Sequence, residues 1–403
     1  MFRTDSGNTK PKRRRLLPAA LPAALLLALL TAFAGCAPTQ SDRPAQTEQT
    51  TEISDETFAH VETVKVFDGS IGPVEPVGAV PEALAAVVET NAFRGATAFP
   101  GGVLRTETTD TDQDGRPDAA DVLMLDRYGA ELGRCRYDPD DSHSIQTLTA
   151  TSDGGFLFVY GFYEHALTNG SWNSEGDFAS EIVKCSGNGG IEWTLSLPDC
   201  DGEALHDCLE KDGAYYFFGS KEAPETKQIG VGSYTDVQIL QVSRGGELEK
   251  TVLFSGSDFD WFRRAEPLPD GFLLYLSSQS SDGDFAYDAG DGHAKSWQFV
   301  LDDSLRCVSK KQTDDDFDFR GARAGTLDGK TVYRDDAMFS GYDAGYVKLV
   351  LDYDSFYLVV SHNLTEEIET PPTVSARWYN SETVYSAFDK TGKLLWRAAV
   401  ANP

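Results

Sequence analysis

The chain has 403 residues, 40% hydrophobic and 25% charged, enough apolar material for a large core and too much for global disorder. Acidic residues number 64 against 35 basic ones, a formal charge of −29, which argues against nucleic acid because phosphates reward Lys and Arg. Six His and three Met leave little material for a metal enzyme built on imidazoles.

The first 35 residues read as an export signal. Lys10 to Arg15 is a basic run, Leu16 to Ala34 is apolar, and Gly35-Cys36 follows at once. A transmembrane helix is the competing reading, disfavoured by Pro18 and Pro22. Arg13-Arg14 lacks the flanks of a twin-arginine signal. Phe33-Ala34-Gly35-Cys36 resembles the bacterial lipobox, with Phe33 where Leu is usual. That resemblance implies cleavage before Cys36, lipid on its sulfur, and a membrane anchor on the extracytoplasmic face of the envelope; plain secretion is the alternative. Cleavage removes six basic residues and one acid, leaving 29 positive and 63 negative groups, or −34. Residues 36–58 are rich in Thr, Gln, Ser, Glu and Pro and read as a disordered tether.

Residues 59–403 read as one all-β domain with a repeat. SDGGFLFVYGF (Ser152 to Phe162) returns as KDGAYYFFGS (Lys211 to Ser220) and PDGFLLYLSS (Pro269 to Ser278), each a Gly turn opening a strand. A strand–turn–strand unit follows each time. Its turn residue aligns as Asp126, Cys185, Ser243, Asp302, Asp352 and Asp389, spaced 59, 58, 59, 50 and 37 residues apart. FRGA occurs at Phe93 and again at Phe319, each 33 residues before a turn residue. A period near 58, with four short strands per unit, predicts a β-propeller of about six blades. His60 to Gly69 would help close the ring, and seven blades or a pair of β-sandwiches are the alternatives. The pattern ending in Gly-Lys-Leu-Leu-Trp (Gly392 to Trp396) resembles the quinoprotein-like propeller repeats of bacterial surface lipoproteins. The resemblance implies a fold and an envelope setting, including a scaffold role in envelope assembly, and no activity.

The sharpest chemical motif is DTDQDGRPDAAD. Asp110, Asp112, Asp114, Asp118 and Asp121 place carboxylates round one point, Gly115 allows the bend, and Arg116 would give its backbone carbonyl to calcium. The flanks read as strands, so the loop resembles the calcium loops of integrin-type propellers, in which Asp121 would be spare; a solvated acidic turn is the bland reading. A structural calcium ion is the expected cofactor. Asp282, Asp284, Asp288 and Asp291 form a second acidic segment whose spacing matches no calcium loop, and it reads as an ordinary blade connection. AGTLDGKT (Ala324 to Thr331) fits a relaxed phosphate-loop pattern, but a strand follows where a helix is needed, so nucleotide binding is rejected.

With Cys36 lipidated, five cysteines remain, an odd number. Cys200 and Cys208 could bridge the second and third units, while Cys135, Cys185 and Cys307 read as small buried hydrophobes. No catalytic signature appears, so an enzyme is not favoured. The expectation is a monomeric, lipid-anchored binding or scaffold protein for a neutral or cationic ligand, a glycan or a protein segment. Trp172 and Trp261 are the candidate ligand contacts, with ordinary blade packing as their plain reading. A glycan-active hydrolase or lyase using a carboxylate pair is the alternative.

Overall fold

The computed structural model describes residues 73–109, 119–137, 143–163, 178–197, 204–222, 235–286, 294–313, 320–327, 330–335, 346–368, 378–391 and 393–402. The signal, the tether and His60 to Gly69 lie outside them. Among the described residues, after one short helix, α1 (Glu82–Glu89), every long element is a strand. Among the described residues no helix is long and apolar enough to cross a membrane.

Five four-stranded antiparallel sheets follow in chain order, as the blades of a β-propeller. Blade 1 holds β1 (Thr97–Phe99), β2 (Gly102–Thr109), β3 (Ala119–Asp126) and β4 (Glu131–Tyr137). Blade 2 holds β5 (His143–Ala150), β6 (Phe156–Tyr163), β7 (Phe178–Cys185) and β8 (Ile191–Leu197). Blade 3 holds β9 (Ala204–Lys211), β10 (Ala214–Glu222), β11 (Thr235–Ser243) and β12 (Leu248–Phe254). Blade 4 holds β13 (Asp260–Leu268), β14 (Gly271–Ser278), β15 (Lys295–Asp302) and β16 (Cys307–Thr313). A two-stranded sheet comes next, β17 (Arg320–Leu327) with β18 (Lys330–Asp335). Blade 5 holds β19 (Tyr346–Asp352), β20 (Phe356–Ile368), β21 (Trp378–Asp389) and β22 (Leu394–Ala401). The first strands β1, β5, β9 and β13 pack in succession, β13 meets β17, β17 meets β19, and β19 returns to β1.

The middle strands are apolar without a break because both of their faces are covered. In β10, Tyr216 and Phe218 pack toward Phe262 and Phe272 of blade 4, while Tyr215 and Phe217 pack toward Leu157 and Val159 of blade 2. Each such side chain contributes about 1.5–3 kcal/mol of burial. Outer strands alternate instead: β8 exposes Ile191 and buries Leu197. Blades 1 and 5 share one core, with Val103 and Leu125 against Leu349, Tyr385 and Trp396. The start of the domain closes the ring. Val77 exchanges backbone hydrogen bonds of 3.0 and 2.7 Å with Arg397 of β22, and the Phe93 amide donates to the Tyr385 hydroxyl at 3.3 Å.

Five complete blades stand where six were expected, and the turns show why. The repeated hairpin joins the third strand to the fourth. Asp126 Oδ1 accepts the amides of Tyr128 and Ala130 at 2.8 and 2.9 Å, and Asp302 and Asp389 do the same for their turns. A left-handed residue completes it: Gly129, Gly189 and Gly246, with Leu305 holding that conformation at φ 57° in blade 4. In blade 2 the residue equivalent to Asp126 is Ser186, one later than Cys185, since the Ser186 amide donates to the Gly190 carbonyl. Asp352 ends the first strand of blade 5, and Asp389 ends the third strand of the same sheet. The short spacing of 37 therefore counted one blade twice. The segment between blades 4 and 5 supplies only β17 and β18 among the described residues.

Candidate functional site

Because strands alternate in direction, every connection falls at one of two faces. One face carries the turns that leave the odd-numbered strands, each two to five residues long. Polar contacts there tie blade to blade. The Trp193 indole N–H donates to the Arg244 carbonyl at 2.9 Å, Glu210 accepts from Ser152 and Arg244, and Lys211 pairs with Asp303. The even-numbered strands end at the other face, where residues 255–259 and 279–286 are described. Of the sequence-derived candidates on connections, Asp282 and Asp284 are described and lie on this loop face.

Its best-described portion is the rim of blades 3 and 4. Residues 255–259 lead into β13, and Gln279 to Phe285 lie against them. The Ser257 amide donates to Asp282 Oδ1 at 2.8 Å and the Ser255 amide to Asp284 Oδ2 at 3.0 Å. Ser280 Oγ accepts the Asp258 amide at 2.9 Å, and the Gln279 amide donates to the Phe259 carbonyl at 2.8 Å. The two segments touch so closely that a Cβ on Gly256 would lie 2.2 Å from the Ser280 Cβ. Asp282 and Asp284 thus fasten backbone amides. Asp288 and Asp291 lie outside the described residues.

Asp260 opens β13 with its carboxyl fully buried. Burial raises its pKa to about 7 despite hydrogen bonds from Ser278, whose Oγ lies at 2.5 Å, and from Ser280; the Asp236 carboxylate pushes it the same way. The Asp260 carbonyl accepts from Thr235 Oγ1 at 3.0 Å, joining blade 3 to blade 4. Strand alternation puts Trp261 on the opposite face from Asp260. Trp261 is half-buried and stacks on Phe259, with centroids 5.3 Å apart and planes 6° apart. The Arg263 guanidinium sits 5.4 Å from the Trp261 ring centroid. Phe259, Trp261 and Arg263 form a ladder at every second residue along the strand entry, two rings and a cation. The sequence marked Trp261 alone. The alternation DFDWFR carries the signal for its two neighbours.

The other expectations fall as follows. Cys36, Asp110, Asp112, Asp114, Arg116, Asp118, Trp172 and Cys200 lie outside the described residues. Asp121 is in β3, nearly buried, and its Oδ2 accepts from the Arg134 guanidinium at 3.0 Å. Its Oδ1 accepts no hydrogen bond from the described residues. Cys208 is buried in β9 in the core between blades 2 and 3, where desolvation holds its thiol neutral. Lys330 and Thr331 sit in β18, directly after the β17 hairpin, so the phosphate-loop pattern has a strand where a helix N-terminus would be required. Burial lowers His362 to about 4, which removes it as a base or acid near neutrality. No group of three or more metal-ligating side chains occurs among the described residues.

The sequence reading missed two polar features. Lys184 is buried between Asp153 and Glu192, 3.0 Å from each, and Asp153 is held down to about 2 by hydrogen bonds from Thr151, Gly155 and Lys184 that outweigh its desolvation. Cys135 and Cys185 meet across blades with 3.2 Å between their sulfurs.

No family model matches the chain, and no curated sequence does. Among solved structures, a variant of the Synechocystis apocarotenoid oxygenase aligns with 76% of this chain at 10% identity and a TM-score of 0.32. The chain spans 62% of that oxygenase's length. An α-L-arabinofuranosidase from Lactobacillus brevis aligns with 74% of this chain and 92% of its own, at 10% identity and a TM-score of 0.38.

Proposed function

We propose that this chain is a lipid-anchored, extracytoplasmic β-propeller that binds a neutral glycan or a protein segment on its loop face. Cys36 carries the anchor and residues 36–58 the tether. The ring has six blade positions, the sixth reduced to β17 and β18. The observation that carries the binding reading is the contrast between the two faces: short capped turns on one, and on the other the described rim of residues 255–259 and 279–285 with the Phe259–Trp261–Arg263 ladder. Long connections on a rigid scaffold are where binding residues concentrate. Half-buried aromatic rings beside a cation are groups suited to packing against a sugar or an apolar side chain. The formal charge of −34 disfavours polyanions at low salt.

In this reading a calcium ion orders the connection from β2 to β3, held by Asp110, Asp112, Asp114 and Asp118 with the Arg116 carbonyl. Asp121, engaged by Arg134, stands outside that set, which favours the shorter loop geometry over the twelve-residue one. Binding only the native state, the ion raises the melting temperature as free calcium passes its dissociation constant.

Screening against neutral glycans, polyanions and peptides at physiological salt tests the proposal. The expected result is capture of a neutral glycan or peptide that weakens at least tenfold in Phe259→Ala or Trp261→Ala while the melting curve stays cooperative. Selective capture of a polyanion, or full binding by both variants, overturns it. Cys36→Ser tests the anchor separately: the variant should leave the membrane fraction.

A further inference from the structure

Blades 1 and 2 close on a core that holds two cysteines. Cys135 lies on β4 opposite Val122, and Cys185 ends β7 opposite Phe156. Both side chains are buried, 1% and 0% exposed, among Met124, Phe158 and Val183. Their sulfurs lie 3.2 Å apart across the boundary between two sheets, although the residues are 50 positions apart in sequence. A free thiol in such a core behaves as a small hydrophobe, and one cysteine would do for packing. Two that converge from different blades, each on the face turned to the other, are placed for a bond.

We propose that Cys135 and Cys185 form a disulfide that locks blade 1 to blade 2 in the exported protein. Its setting rests on the extracytoplasmic reading above, since oxidising compartments are where such bonds persist. Bond formation brings the sulfurs to ~2.05 Å, an approach of about 1.2 Å, which is a small adjustment at two short side chains. The oxidant is an exogenous disulfide, a small molecule or a thiol oxidase. The Cys135 sulfur, as thiolate, attacks it, releasing one thiol and leaving a mixed disulfide. The Cys185 sulfur then attacks Cys135 Sγ and releases the second thiol. The two protons and two electrons lost by the cysteines end on the two released thiols. Because both thiols are sealed in the finished core, this exchange belongs to folding, before the two blades close.

The bond bridges the crossing between blades 1 and 2, where the chain runs from β4 to β5. It also changes the cysteine count. With Cys36 lipidated and this pair formed, Cys200, Cys208 and Cys307 remain, which leaves the Cys200–Cys208 expectation open and makes Cys307, exposed at the start of β16 where a buried hydrophobe was expected, the odd thiol.

The test uses the full chain purified reduced, refolded in a mixed oxidised and reduced glutathione buffer, and taken as the folded monomer peak. Free thiols are alkylated in denaturant before any reductant, and the protein is digested and mapped by mass. The expected result is a linked Cys135–Cys185 peptide, two hydrogens lighter than its parts, that separates on reduction. Reduction should lower the melting temperature by roughly 5 °C, and the Cys135→Ala, Cys185→Ala double variant should lose that sensitivity. Alkylation of both cysteines in the folded refolded protein, or a bond from either to a third cysteine, overturns the proposal. A parallel map of protein recovered from the envelope separates the two readings. A bond that forms in glutathione but is missing there counts against the extracytoplasmic setting and not against the pair.

Discussion

The two faces of the ring are made from the same strands, yet they are built on opposite rules. On the turn face the third-to-fourth-strand hairpins repeat: Asp126, Asp302 and Asp389 each accept two amides and Ser243 accepts one, a left-handed residue follows in four of them, and neighbouring blades are tied by Trp193, Glu210 and Lys211. On the loop face the described connections, residues 255–259 and 279–285, follow no such pattern. Segment 279–285 spends Asp282 and Asp284 on its neighbour's amides, while 110–118 gathers acids with a spacing suited to a cation. The difference teaches that the scaffold is secured at one end and free to vary at the other.

The sharpest way to break this contrast is at Gly246, on the turn face. Its φ is +85°, and a Cβ there would meet the Trp193 ring at 2.6 Å. Gly246→Val should cost about 3 kcal/mol in urea unfolding, from left-handed strain and the displaced indole together.

A second test is pH. Asp260, with a folded pKa of about 7 against ~3.9 unfolded, binds a proton in the native state that the unfolded chain has already released. Its contribution is therefore complete below pH ~4 and is lost as pH rises through 7, by a few kcal/mol at most. Asp260→Asn, which mimics the protonated carboxyl, should flatten that part of the profile and leave the variant more stable than the wild type at pH 8. An unchanged slope between pH 4 and 8 would show that the buried acid does not carry it.

Smaller again is Asp302→Ala. It removes a carboxylate that accepts the Ser304 and Arg306 amides in one turn, and about 1 kcal/mol should go with it. The smallest effect is expected on the loop face. Replacing residues 164–177 with a short Gly-Ser link should move stability by less than about 0.5 kcal/mol. A loss comparable to that of Gly246→Val would erase the distinction between the faces.

The same contrast decides what could be read from the amino-acid order. The turn face was legible because Gly129, Gly189 and Gly246 recur for one physical reason, a left-handed backbone, and because the middle strands β6, β10 and β14, each opened by a short turn on that face, are apolar on both faces. Errors arose where that signature is imitated. Asp352 precedes a tight hairpin in which the Tyr353 amide donates to the Phe356 carbonyl, and only the pairing of β19 with β20 shows that it shares a sheet with Asp389. Cys185 sits one place early: the register shift that precedes the turn falls between Met124 and Leu125 in β3 and between Lys184 and Cys185 in β7, so Cys185 matches Leu125 and Ser186 matches Asp126. On the loop face Trp261 stood out as a large ring, but its stack on Phe259 depended on the local path into β13. The meeting of Cys135 with Cys185 was out of reach of any spacing rule, since it requires knowing which faces of two blades confront each other.

The closure at Val77 also sets a load path. The chain before residue 73 leads back to the proposed anchor, so tension on the tether enters the domain through the segment paired with Arg397. Besides that antiparallel bridge of two hydrogen bonds on an outer strand, the segment is held by the Val74 amide donating to Glu382 Oε1 at 2.8 Å, whereas Phe93, Tyr385 and the shared core of blades 1 and 5 lie further in. Under pull, residues 73–80 would peel away first and add roughly 25 Å of slack before any blade is loaded. The outermost contact would act as a mechanical fuse, letting the domain yield in reach while its ring stays shut.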